Sequence, residues 1–148
     1  SDVCSSDLFN MSKIGKISEK EIAAIGKVYL SAALGWEHLA LQDDETYITL
    51  ANLFERMGFQ HSDNHYLFRN LVFFNKDINE MNNSIKEMTY QERGDLLFTI
   101  VNMRYCSDGM GGQFSEHFDL VLIYLLNTLF GIRKKHDITM RIAKQYIL

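Results

Sequence analysis

Thr89 to Gly131, TYQERGDLLFTIVNMRYCSDGMGGQFSEHFDLVLIYLLNTLFG, is the stretch whose reading decides the fold. It opens on a capping box: the Thr89 hydroxyl can accept from the backbone N–H of Glu92, while the Glu92 carboxylate reaches back to the N–H of Thr89. Leu96, Leu97, Ile100, Val101 and Met103 follow at helical spacing, which predicts a helix to about Tyr105. Between Ser107 and Gln113, glycine recurs at 109, 111 and 112 and favours turns, so a stop is expected there. Ser115 reads as the N-cap of the next helix, with Glu116 facing the positive end of its macrodipole. From Phe118 to Phe130 the chain is apolar nearly all round, broken only by Asp119, Asn127 and Thr128. Such a helix is expected at the centre of a bundle.

Working outward toward the N-terminus, Ser18-Glu19-Lys20-Glu21 is a second capping box, followed by Ile22, Ile25, Val28, Tyr29 and Leu34. Gly26 lies inside that helix, a weak point that suits close packing. Asp43-Asp44-Glu45 crowds negative charge at the next helix start, and Tyr47, Ile48, Leu50, Ala51, Phe54 and Met57 form an apolar side up to Gly58. Ser62 or Asp63 caps a segment from Asn64 to about Asn75 that carries Leu67, Phe68, Leu71, Val72 and Phe74. Asp77 and Glu80 open a short helix with Ile78, Met81, Ile85 and Met88 on one face. Beyond Gly131, Arg133 to Leu148 carries five Lys/Arg against one Asp, with Ile138, Ile142, Ala143 and Tyr146 as an apolar face. The expectation is an all-α, single-domain bundle of about seven helices.

An internal echo bears on this layout. Glu37 lies eight residues before Glu45, as Asp108 lies eight before Glu116, and Gln42 matches Gln113. Two readings stand: a duplicated helix-loop-helix, or coincidence, since acids and turn formers gather at helix starts anyway.

Proline is absent from the 148 residues, and strand-like alternation is hard to find. The net charge of −4 gives no electrostatic reason to expect nucleic acid. Residues 1–8, Ser1 to Leu8, resemble translated sequencing-adapter DNA and are expected to be disordered; the helical domain is read over 9–148, with Met11 a possible natural start. Setting that segment aside leaves Cys106 as a lone thiol with no signal peptide, the pattern of a reducing cytoplasm. No apolar run reaches the ~18 residues of a membrane span.

The helix, the Asp108-Gly109 turn, Glu116 near the next helix start, and Leu129-Phe130-Gly131-Ile132 together resemble the tellurite-resistance TerB-like domain family over about Ile17 to Ile132. That resemblance implies a non-catalytic bacterial helical protein in tellurite or general stress response, with helical faces that dock partner proteins and a peripheral link to a membrane complex. It also implies acidic loops that take a metal ion. The competing reading is a helical interaction module, such as an immunity or regulatory protein, with no ion site.

The residues of the loop support a cation site of limited quality. Asp108 and Glu116 are the principal ligands, with weaker ones in Ser107, Gln113, Asp119, Glu37 and Glu45. Oxygen donors point to Ca²⁺ over zinc, bound weakly because water would have to complete a shell of ~6–8 ligands. Counted from Asp108 as an EF-hand, Glu116 and Asp119 fall ninth and twelfth, but Met110, Gly112 and Gln113 spoil the third, fifth and sixth places. The alternative gives Gly109 to helix termination and Glu116 to the helix dipole. His61 and His65 are four apart, yet the cap signal between them makes a solvated surface pair the better reading. Cys106 has no assigned base and reads as an unreactive thiol. No convergent acid, base and ligand set predicts catalysis.

Overall fold

A computed structural model of the chain describes residues 17–34, 44–62, 66–106 and 111–133, with backbone alone at 106, 111–116 and 118. Six helices occupy these residues: α1 (Glu19–Leu34), α2 (Asp44–Arg56), α3 (Tyr66–Phe74), α4 (Ile78–Glu87), α5 (Tyr90–Cys106) and α6 (Gly111–Phe130). The protein is all-α, with no strand among the described residues. The seventh expected helix, after Arg133, and the segment 1–8 lie outside the described residues, as do Trp36 to Gln42.

Local chemistry sets the helix starts. At α5 the Thr89 N–H donates to Glu92 Oε1 at 3.0 Å and the Glu92 N–H to Thr89 Oγ1 at 3.1 Å, the reciprocal capping box its sequence predicts. At α1 the Ser18 N–H donates to Glu21 Oε1 at 2.9 Å and the Glu21 N–H to Ser18 Oγ at 3.2 Å. Asp77 caps α4 by accepting from the Glu80 N–H at 2.9 Å, while Glu80 accepts from the Lys76 N–H at 2.6 Å. Gly58 closes α2 at φ +86°, in the left-handed region that costs glycine least. Gly131 does the same after α6, at φ +70°.

Packing follows from these elements. The pair α5 and α6 lies at the middle; α1 and α4 pack on α6, α2 and α3 pack on α5, and α1 also meets α2. Leu96, Leu97, Ile100 and Val101 of α5 face Val121, Leu122, Leu125 and Leu126 of α6 in one continuous core, all essentially without solvent exposure. Each such side chain, moved out of water, contributes about 1.5–3 kcal/mol, which is why the apolar helix takes the centre.

Three expectations are corrected. Helix α6 starts at Gly111, so Gly111, Gly112 and Gln113 are helical, and Ser115 and Glu116 lie within the helix rather than at its start. Glycine costs only ~1 kcal/mol per helical residue, a penalty too small to forbid a helix there. Glu45 is the second residue of α2 while Glu116 is the sixth of α6, so the two echoed acids do not occupy equivalent helical positions. Finally, Leu34, Ile48 and Phe74, placed on apolar sides by periodicity, are 65%, 55% and 73% exposed.

Candidate functional site

The nine residues of α3, YLFRNLVFF, contain only two polar side chains, Arg69 and Asn70. At 100° per residue, Phe68 and Leu71 fall on one side and Tyr66 and Phe73 on the opposite one. Phe68 and Leu71 are buried in the core, with Leu67 and Val72 half-buried beside them. The outward side is therefore aromatic where a surface helix is ordinarily polar. Phe73 is 81% exposed, Phe74 73% and Tyr66 61%. The rings of Phe73 and Phe74 meet edge to face with centroids 5.1 Å apart, an arrangement aromatic quadrupoles favour.

Hydrogen bonds tie the chain before and after α3 to its neighbours. On the approach to α3, the Gln60 N–H donates to Asp95 Oδ1 at 2.8 Å and the Ser62 N–H to Thr99 Oγ1 at 3.1 Å, tying the segment along α5. After α3, Asn75 Nδ2 donates to the Leu71 carbonyl at 2.7 Å, and Ser84 Oγ donates to Asn75 Oδ1 at 2.9 Å, joining the helix end to α4. The end of α3 that carries Phe73 and Phe74 is thus tied to α4.

Of the residues expected to hold a cation, only Asp119 and Glu45 have described side chains. Asp119 Oδ1 accepts from Arg104 Nη2 at 2.7 Å, with the two side chains 24% and 12% exposed, so this carboxylate joins α6 to α5. Glu45 pairs with Lys20 at 2.7 Å on the surface. Glu116 and Gln113 are described by backbone alone, and Ser107, Asp108 and Glu37 lie outside the described residues. No group of three His, Cys, Asp or Glu side chains suited to a metal occurs among the described residues. His65 is also outside them. His61 is half-buried rather than solvated, its ring edge-on to Phe98 with centroids 4.8 Å apart.

A cleft of about 140 Å³ between α1 and α2 is lined by Lys20, Lys27, Glu45, Thr46 and Thr49. Its cations already have partners: Lys20 is paired with Glu45, and Lys27 Nζ donates to Thr46 Oγ1 at 3.3 Å. The cleft therefore singles out no ligand.

Sequence reasoning missed Tyr66 and Phe73 and turned Phe74 inward. The available signal was the all-round apolar pattern of a helix only nine residues long, too short to be the enclosed centre of a bundle. No known protein family matches this chain, and neither a curated protein nor a solved structure matches it. No described helix is long and apolar enough to cross a membrane.

Proposed function

We propose that the chain is a non-catalytic helical docking module that offers the outward face of α3 to a protein partner. The observation that carries this reading is the exposure of Phe73 and Phe74, at 81% and 73%, at the end of α3 that is tied to α4. Exposed aromatics close to an arginine have the composition of interface anchors, because they bury large apolar areas at little conformational cost. The TerB-like resemblance at Asp108-Gly109, Glu116 and Leu129 to Ile132 supports the same class, since it implies partner-docking helical faces in a tellurite or stress response. Stress genes beside the coding sequence would favour that setting, and a toxin gene an immunity role.

A photo-crosslinking benzophenone side chain in place of Phe74 tests the docking reading in cells. A discrete adduct that weakens on Phe73→Ala supports it; failure to form any intermolecular adduct overturns it. Calcium titration addresses the ion site separately. A rise in melting temperature abolished by Asp108→Asn would give the loop a role that docking does not require.

A further inference from the structure

We draw no further inference here: the strongest candidate, the outward aromatic patch of α3 at Phe73 and Phe74, carries nothing beyond the docking reading, because nothing in the structure shows what covers it.

Discussion

The ring of Phe59 occupies the space that a side chain at Gly94 would need: a Cβ built there would lie 2.0 Å from Cε1 and 2.1 Å from Cδ1 of Phe59. The ring is buried and hemmed in, with its centroid 5.3 Å from that of Tyr90 and 6.2 Å from that of Phe54. Gly94 is thus the point at which the chain leaving α2 lies directly on the backbone of α5.

Gly94→Ala should therefore destabilise the protein. At an exposed helical site the same change gains about 1 kcal/mol. Here overpacking, typically about 1–3 kcal/mol, reverses the sign. Chemical denaturation reads the difference, and Phe59→Leu in the same chain should recover part of the loss. A more stable Gly94→Ala variant would mean that the ring has room to move.

Glu21 serves two structures at once. It completes the α1 capping box and receives two bonds from the Arg56 guanidinium, at 2.8 and 3.1 Å, linking α1 to the end of α2. Burial pushes its pKa up, but the Arg56 bond, the two Ser18 bonds and the Arg56 charge together outweigh it and hold the pKa below the ordinary value. A lowered folded pKa means that this stabilisation is complete above the unfolded value of about 4.3 and is lost as pH falls through the folded value. Glu21→Gln should cost about 1–2 kcal/mol at neutral pH, less than a fully buried pair because Arg56 is 41% exposed. Its stability should also fall less steeply than wild type below pH ~4.3. Equal acid sensitivity in the two proteins would remove Glu21 from this role.

The core pair makes a simpler claim. Leu97 and Leu125 are both fully buried, one on each central helix. Replacing either with alanine should cost about 2–5 kcal/mol, read from the denaturation midpoint. A loss under 1 kcal/mol at both sites would contradict the central placement of α5 and α6.

Asp119 is predicted to act through Arg104. A double-mutant cycle with Asp119→Ala and Arg104→Ala should give a coupling of about 0.5–3 kcal/mol. Additive losses would free Asp119 for another role.

Where local chemistry decides, the sequence was readable. The two Ser/Thr-x-x-Glu boxes, the Asp77 cap and the Gly58 stop each use neighbours within four residues, and each occurs as expected. Elsewhere local preference did not decide. Gly111 and Gly112 read as a loop because local preference disfavours helix, yet α6 includes both, since a ~1 kcal/mol penalty per glycine does not forbid it. Gly94 showed no signal, because its significance lies in a ring 35 positions earlier in the chain. The candidate site failed for a related reason. Periodicity finds an apolar side but cannot rank two of them, and α3 has two, with Phe68 and Leu71 buried and Phe73 and Phe74 exposed.

The measurement that bears most directly on the outward α3 face is the melting temperature of Phe73→Ser/Phe74→Ser, taken at protein concentrations low enough to keep the chain monomeric. If the two rings serve docking and not the fold, the double variant should melt within a degree or two of wild type, since surface substitutions of this kind usually change stability by about 0.5 kcal/mol or less. A fall of ten degrees or so would contradict the account, because it would mean that both rings are packed inside the folded protein.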